Sequence, residues 1–239
     1  MKDEDRSVFD LEYQEPMKSI SYGKSEDQVI DFYHPEVLGK PLIVLIHGGF
    51  WRSEYDRKHL SPLAKKLSEL GWPVALIEYR RIIGNPDATI SDVSSAIDLL
   101  KQQYEKVILI GHSAGGHLAL ILAKSVGPSG VIALAPITNL QAAQDLDLDE
   151  GAVSDFLGVP ANMRSDIDPI RLGALEFETL LIHGSLDIRV PVSFSTEYVA
   201  EMDTPTTRFL EIPSAGHFQL IDPSQPVFME ILGEVNKSF

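Results

Sequence analysis

The sequence predicts one α/β domain, in which a mostly parallel, twisted sheet carries helices on both of its faces. Two observations lead to this fold class. Along most of the chain, short apolar runs rich in β-branched residues alternate with stretches whose apolar residues recur at helical spacing, a pattern typical of consecutive β-α units. The chain also has 239 residues, of which 44% are hydrophobic, and this suits one large core better than two small ones. We therefore expect residues 1–239 to form a single domain.

Strands are predicted where short apolar runs are bounded by turn residues. Leu42–Ile46 is the clearest case, because every position between Pro41 and His47 is apolar and a parallel strand buried on both faces has this composition. The predicted strands cover residues 18–22, 28–33, 42–46, 74–79, 107–110, 131–134, 179–182 and 207–212. The first two are expected to form a leading hairpin or an edge pair.

Helices are predicted from apolar residues that recur every three or four positions. Residues 90–104 show this spacing, with Thr89 or Ser91 as the N-cap. The predicted helices cover residues 57–70, 90–104, 114–125, 192–202 and 224–237. Segment 138–175 interrupts the alternation and is too long for an ordinary connection. We expect it to form a small lid-like insertion over the functional site, with short helices near 150–157 and 160–164.

The composition argues against several kinds of partner and site. The formal net charge is −15, from 20 basic and 35 acidic residues, which disfavours binding to nucleic acid and to anionic membranes because both require clustered lysine and arginine. The chain has no cysteine, so disulfides, thiol catalysis and cysteine-bound metals are excluded. The acidic run at 145–150 alternates with leucine, which indicates a solvated face, and no metal site is predicted. A polar N-terminus and the lack of an apolar stretch of about 18 residues predict a cytoplasmic protein without a membrane span.

The strongest motif is Gly111-His112-Ser113-Ala114-Gly115, which lies between a predicted buried strand and a predicted helix. A serine on such a sharp turn has a strained backbone and needs small residues two positions away on each side, which Gly111 and Gly115 supply. The turn projects the hydroxyl from the strand end, beside a helix N-terminus that favours developing negative charge. The motif alone also fits a glycine-rich turn without chemistry. The strand-turn-helix context favours Ser113 as a nucleophile.

A second glycine-rich turn, His47–Trp51 (HGGFW), ends another predicted buried strand. Consecutive glycines let backbone amides approach a substrate, so Gly49 and Phe50, together with Ala114 behind the nucleophile, are the predicted donors to an oxyanion. The sequence leaves open which of Gly48, Gly49 and Phe50 points inward.

A serine hydroxyl is a weak nucleophile at neutral pH, so a general base and an acid that orients the base are required. In folds that carry the nucleophile on a strand-to-helix turn of this kind, the chain order is serine, acid, histidine. Asp187 lies just beyond the predicted strand 179–182, and His217 lies in the loop after the strand 207–212. Their order and positions predict Asp187 as the orienting acid and His217 as the base. Asp203 and Asp222 have no matching context.

The remaining histidines and Trp51 are given other roles. His47 is expected to brace the glycine-rich loop, and His183 is expected to be packed or hydrogen-bonded at its strand end. His112 and His117 adjoin Ser113 but are expected to point elsewhere, while His34 and His59 are placed on surface segments. Trp51 is predicted either to contact the substrate or to cap the core.

With these residues in place, the sequence resembles the HGGxW-type esterases of the α/β-hydrolase superfamily, in the branch of kynurenine formamidase (arylformamidase) and related bacterial carboxylesterase-like proteins. The resemblance is carried by His47–Trp51, Gly111–Leu118, His183–Asp187 and Ala215–Phe218 and spans roughly residues 40–235. It implies hydrolysis of a small carboxylic ester or an aryl formamide through an acyl-enzyme, without a cofactor. Relatives of hormone-sensitive lipase usually have HGGG, GDSAGG and a substantial N-terminal cap. Phe50 and His112 depart from those motifs, and few residues precede the core, which favours the formamidase-like branch.

Two other functions stay open at this stage. The scaffold could serve as a catalytically silent ligand-binding protein, although such proteins often lose a triad member and all three are present here. A peptidase acting on small peptides is the other alternative. The sequence does not specify the acyl group, the leaving group or the oligomeric state, and a homodimer is among the alternatives.

Overall fold

A computed structural model of the chain describes residues 5–34, 36 and 39–238. Its centre is a sheet of eight strands in the order β1-β2-β4-β3-β5-β6-β7-β8. The strands are β1 (Lys18–Ser21), β2 (Val29–Tyr33), β3 (Leu42–Ile46), β4 (Val74–Ile77), β5 (Val107–His112), β6 (Gly130–Leu134), β7 (Glu178–Gly184) and β8 (Thr207–Ile212). The pairs β1–β2 and β2–β4 are antiparallel, and every later pair is parallel. The predicted mostly parallel sheet with a leading hairpin is confirmed.

Helices cover both faces of this sheet. They are α1 (Ser61–Glu69), α2 (Pro86–Lys101), α3 (Ala114–Val126), α4 (Leu140–Asp145), α5 (Ala152–Leu157), α6 (Ser193–Met202) and α7 (Val227–Ser238). Strand β3 shows how the two faces are filled: Leu42, Val44 and Ile46 pack with α2, α3 and α6, whereas Ile43 and Leu45 pack with α1 and α7. Because consecutive side chains of a strand point to opposite faces, the all-apolar run predicted as a buried strand supplies both cores.

The start of α2 differs from the prediction. The helix begins at Pro86, and the Asn85 side chain caps it by accepting a hydrogen bond from the Ala88 amide at 3.3 Å. Proline is well suited to the first turn of a helix because its missing N–H has no partner there in any case. Thr89, which the sequence suggested as a cap, is inside the helix and donates its hydroxyl to the Arg80 carbonyl at 2.6 Å. Apolar periodicity alone placed the start of this helix too late.

Segment 138–175 folds into α4, α5 and three short 3-10 turns at Ala161–Met163, Ser165–Ile167 and Pro169–Arg171. Its two ends meet where the Ile170 amide donates to the Thr138 carbonyl at 2.9 Å. The short helices expected near 150–157 and 160–164 correspond to α5 and the first 3-10 turn, whereas α4 was not predicted. Within the described residues, none of the helices combines the length and the apolar composition that crossing a membrane requires.

Candidate active site

Ser113 occupies a strained turn between β5 and α3, as the sequence predicts. Its φ and ψ are 56° and −118°, a conformation that an L-residue rarely adopts and that is held here by the surrounding structure. The Ser113 amide donates to the Leu134 carbonyl at 2.8 Å. A Cβ at Gly115 would collide with the carbonyl oxygen of Ile46, so only glycine lets α3 begin so close to β3. These contacts fix the serine side chain at the carboxyl edge of the sheet.

Asp187 and His217 lie beyond the ends of the neighbouring strands β7 and β8, and their side chains meet. Nδ1 of His217 is 2.6 Å from Oδ2 of Asp187. The other carboxylate oxygen, Oδ1, accepts the backbone amides of Arg189 at 2.8 Å and Val190 at 2.9 Å. Burial opposes ionisation of this carboxyl group, but the charge of His217 and the hydrogen bonds from His183 and His217 outweigh it and lower the pKa of Asp187. The acid is therefore held as a carboxylate.

His183 contacts Asp187 as well, a contact that the sequence did not indicate. Its Nε2 is 3.2 Å from Oδ2 of Asp187 and 2.9 Å from the Val190 carbonyl. Its Nδ1 is 2.7 Å from Oγ of Ser195 in α6. With the proton on Nε2, the ring donates to the carboxylate and the carbonyl and accepts from the serine hydroxyl. The expectation of a hydrogen-bonded histidine at this strand end is confirmed.

Ser113 and His217 line the same small cavity, in which about 20 Å³ is free. The Oγ atom of Ser113 is buried and has no hydrogen-bond partner in the part of the chain that the structure describes. Catalytic hydrogen bonds are often long or poorly aligned before substrate binds. The arrangement thus brings the three predicted residues together, with Asp187 and His217 hydrogen-bonded and Ser113 facing the same space.

The glycine-rich turn lies directly against the serine. A Cβ at Gly48 would be 2.9 Å from the Ser113 Cβ, and both Gly49 and Phe50 line the cavity. Phe50 has a φ of 50° and is buried. Among the described residues, the amides of Gly49 and Phe50 have no hydrogen-bond acceptor, and Ala114 is the first residue of α3, where helix amides lack an intrahelical acceptor. Unpaired amides of Gly49 and Phe50 thus lie at the cavity, and the amide of Ala114 lies at the start of the helix directly after Ser113.

His47 stabilises the glycine-rich turn through the contacts of its side chain, which is the role expected of it. Its Nε2 lies 2.9 Å from Oε1 of the buried Glu78, and its ring stacks on Tyr79 with centroids 4.3 Å apart. Glu78 also contacts Arg81 and accepts the Arg57 amide at 2.9 Å. Burial disfavours the Glu78 carboxylate, but the charges of His47 and Arg81 and these hydrogen bonds prevail, so the pKa of Glu78 is lowered.

Trp51 lies outside the Ser113 cavity. Its ring stacks on Phe156 of α5 at 4.3 Å and meets His117 edge-on at 5.1 Å, and it lines a neighbouring hollow. Arg52, the next residue, binds Asp149 and Asp155 at 3.0 Å each. Asp149 therefore forms ion pairs at the surface, while Asp145, Asp147 and Glu150 of the acidic run are exposed, as expected of a solvated face.

The insertion 138–175 also differs from its expected position. It packs beside the glycine-rich turn through α5, and none of its residues lines the cavity that holds Ser113 among those the structure describes. Asp149 of the insertion pairs with Arg52 and also lies 3.4 Å from Arg189, which lines the cavity. The segment therefore adjoins the wall of the cavity without lining the cavity itself among the described residues.

Two histidines have contacts that the sequence did not reveal. His112 does not point away from the site, because its ring lies 4.5 Å from that of His217 and its Nε2 is 3.1 Å from the His217 carbonyl oxygen. His59 was expected on the surface but lines the cavity, where burial and the neighbouring His47 lower its pKa to about 3. His117 does point away, towards the Ile167 carbonyl at 2.8 Å. The remaining lining residues that the sequence did not single out are Phe9, Tyr55, Arg189 and Phe218.

Comparison with known proteins assigns the chain to a family. The BD-FAE family model matches residues 30–163, which is more than half of the sequence. The chain belongs to the BD-FAE family. The BD-FAE match includes the turn His47–Trp51 and the Ser113 turn and ends before Asp187 and His217.

Individual proteins also resemble the chain in sequence or in structure. The chain is 30% identical to the kynurenine formamidase of Salmo salar over 152 residues, which cover 55% of this chain and 51% of that protein, so it spans about half of the relative's length. Esterase B of Lactobacillus rhamnosis has a similar structure, with a TM-score of 0.76 at 19% identity over 98% of this chain and 89% of the esterase. A thermophilic esterase of Thermogutta terrifontis gives a TM-score of 0.73 at 18% identity over 92% and 90% of the two chains. Together with the sheet order, these likenesses confirm the α/β-hydrolase fold and the resemblance to formamidases and esterases.

Proposed function

We propose that this chain is a serine hydrolase that cleaves a small carboxylic ester or an aryl formamide through an acyl-enzyme. The observation that carries the proposal is that Ser113 and His217 line one cavity, with Asp187 hydrogen-bonded to His217 and the serine at a strained strand-to-helix turn. The formamidase and esterase relatives support the same class of reaction.

In the first half of the proposed reaction, Nε2 of His217 takes the hydroxyl proton of Ser113 while Oγ attacks the carbonyl carbon of the substrate. The carbonyl oxygen becomes negatively charged and is stabilised by the amides of Phe50 and Ala114, with that of Gly49 beside them. Asp187 remains a carboxylate and stabilises the imidazolium that forms on His217. When the tetrahedral intermediate collapses, the carbon–leaving group bond breaks and His217 gives its proton to the departing alcohol or amine.

In the second half, water attacks the acyl group on Ser113. His217 accepts a proton from this water, and when the second tetrahedral intermediate collapses, the bond between the acyl carbon and Oγ breaks and His217 returns the proton to Oγ, which releases the carboxylic acid and restores the serine hydroxyl. No redox step and no further reactant besides water is needed. The cavity beside Ser113 is small, with about 20 Å³ of free space, which favours small acyl groups over long ones.

A hydrolysis panel tests the proposal and distinguishes its two substrate classes. We expect the wild-type protein to hydrolyse p-nitrophenyl esters with an optimum at short acyl chains, or N-formylkynurenine in preference to all of them, since both need the same machinery. Ser113→Ala should reduce kcat by roughly 10³-fold or more on whichever substrate is preferred, leaving only the contribution of binding and the oxyanion donors. Undiminished hydrolysis by Ser113→Ala would contradict the proposal.

A further inference from the structure

One part of the wall of the Ser113 cavity is formed by residues near the N-terminus of the chain. This segment is far in sequence from the motifs that carry the proposed catalytic residues. The 3-10 turn Ser7–Asp10 places the ring of Phe9 among the residues that line the cavity. The ring meets Phe218 edge-on with centroids 5.0 Å apart, and it lies 5.6 Å from the ring of His59. Phe9 is therefore in contact with the residue that directly follows the proposed base, His217.

The turn that carries Phe9 is fixed by several contacts. Val8 is buried in the same apolar core as Leu220 and Phe228. The Arg6 guanidinium carbon lies 5.1 Å from the centre of the Phe9 ring and 5.5 Å from that of Phe218. Asp5 accepts a hydrogen bond from Gln219 at 3.3 Å, and the same Gln219 side chain accepts the Gly216 amide at 2.9 Å. The segment is thus joined to the loop that positions His217.

The proposed chemistry decides which end of a substrate meets this wall. His217 protonates the leaving group, so the leaving group must lie beside His217 and near the adjacent Phe218 ring. Phe9 packs on that ring, whereas the oxyanion donors of Phe50 and Ala114 belong to the glycine-rich turn and to α3. With only about 20 Å³ free in the cavity, roughly the space of one water molecule, the Phe9 ring limits how large a group can enter on this side.

We propose that Phe9 is a specificity-determining residue that restricts the size of the leaving group. The inference rests on the proposed function and adds the residue that sets its selectivity. Removing the ring should enlarge the leaving-group side of the cavity and leave the acyl side unchanged. One extra or missing methylene group in an apolar pocket alters kcat/KM by about 10- to 200-fold, which sets the expected size of the effect.

The test compares two selectivity ratios in the full-length chain. Phenyl acetate and 2-naphthyl acetate differ in the size of their leaving groups, which are close in acidity, whereas phenyl acetate and phenyl butanoate differ only in the acyl group. In Phe9→Ala we expect the naphthyl-to-phenyl ratio of kcat/KM to rise by about tenfold and the butanoate-to-acetate ratio to stay within about twofold of wild type. Phe9→Trp, which adds bulk, should lower the naphthyl-to-phenyl ratio.

Val8→Ala is the matched control, because Val8 anchors the same turn but does not line the cavity. Its two ratios should equal those of the wild type. An unchanged naphthyl-to-phenyl ratio in Phe9→Ala overturns the inference, as does an equal rise in Val8→Ala or an equal rise in the butanoate ratio. If the wild-type protein hydrolyses none of these esters and no formamide, the proposed function fails and this inference with it; hydrolysis with unchanged ratios removes the inference alone.

Discussion

Asp187 is the residue on which the geometry of the proposed triad depends. Two histidines, His183 and His217, approach the same carboxylate oxygen, and two backbone amides bind the other. Four donors around one buried carboxylate keep it ionised and fix its orientation. The carboxylate in turn holds the proton of His217 on Nδ1, which leaves Nε2 free to accept the proton of Ser113.

Replacing this acid should therefore remove most activity without removing the fold. In Asp187→Asn we expect kcat to fall by about 10⁴-fold with a much smaller change in KM, because the amide favours the wrong tautomer of His217. Steady-state kinetics on the preferred ester or formamide measures this. Asp203→Asn is the matched control, since Asp203 ends α6 in a left-handed conformation that asparagine also tolerates. An Asp187→Asn variant as active as Asp203→Asn would contradict the assignment.

Individual residues differ in how far the sequence could predict them. Ser113, Asp187 and His217 each lie shortly after the end of a predicted strand. The carboxyl ends of parallel strands meet at one edge of the sheet, so the sequence predicts that these residues come together. His59 and Phe9 reach the cavity from 3-10 turns whose positions depend on packing between distant segments. No local pattern in the sequence shows how distant segments pack against each other. The expectation that His59 lies on the surface was wrong for this reason.

At the scale of secondary-structure elements, β4 supports the turn that follows β3. The two strands are parallel neighbours, so Glu78 directly after β4 lies beside His47 directly after β3. The carboxylate is almost fully buried, with 2% of its surface exposed, and it is surrounded by His47, Arg57 and Arg81. A buried ion network of this kind holds a single loop conformation, and removing one charge leaves its partners unpaired.

Glu78→Gln should disturb the oxyanion donors through His47. We expect kcat to decrease by about 10- to 100-fold with little change in KM, and the free energy of unfolding to decrease by about 3 kcal/mol. Asp31→Asn is the control, because Asp31 is equally buried and binds Arg57 at 2.6 Å but does not contact His47. It should lower stability with little effect on kcat. Equal losses of kcat in the two variants would show that general destabilisation, and not the position of the loop, is responsible.

The elements themselves were predictable to different degrees. The apolar strands and the long helices follow from periodicity, and their predicted ranges agree closely with those in the structure. The start of α2 was misplaced because Asn85 and Pro86 act through capping chemistry at positions without apolar residues. The insertion was recognised from its length, but its position beside the glycine-rich turn depends on the ion pairs of Arg52 with Asp149 and Asp155, which lie about a hundred positions away in the chain.

At the scale of the whole molecule, the fold lowers the pKa of three histidines among the described residues, of which His112 and His117 are buried and His59 is half-buried. Burial lowers the pKa of His117 to about 4. For His59, burial together with His47 lowers the pKa to about 3, and for His112, burial together with His217 holds the pKa well below its ordinary value. Below the ordinary pKa of 6.5, the unfolded chain binds protons at these residues and the folded chain does not. Stability must then fall as the pH decreases from about 6.5 towards 4.

This acid sensitivity can be assigned to one residue by substitution. Each such histidine contributes up to about 1.4 kcal/mol per pH unit to the slope of the free energy of unfolding against pH. His117→Gln removes one titrating group and retains a donor for the Ile167 carbonyl, so we expect its slope to be shallower by about that amount. Urea unfolding at about pH 7, 5.5 and 4.5 measures the slope. A variant slope equal to that of the wild type would contradict the buried, neutral state of His117.

The central claim is that Ser113 is an activated nucleophile, and covalent labelling with a fluorophosphonate tests it most directly. We expect intact-protein mass spectrometry to show one adduct per wild-type chain, located on Ser113 by peptide mapping, because a phosphonate reacts only with an activated serine. Ser113→Ala should take up no label, and Asp187→Asn should react far more slowly while remaining folded. A folded wild-type protein that takes up no label, or that carries it on a residue other than Ser113, would contradict the account.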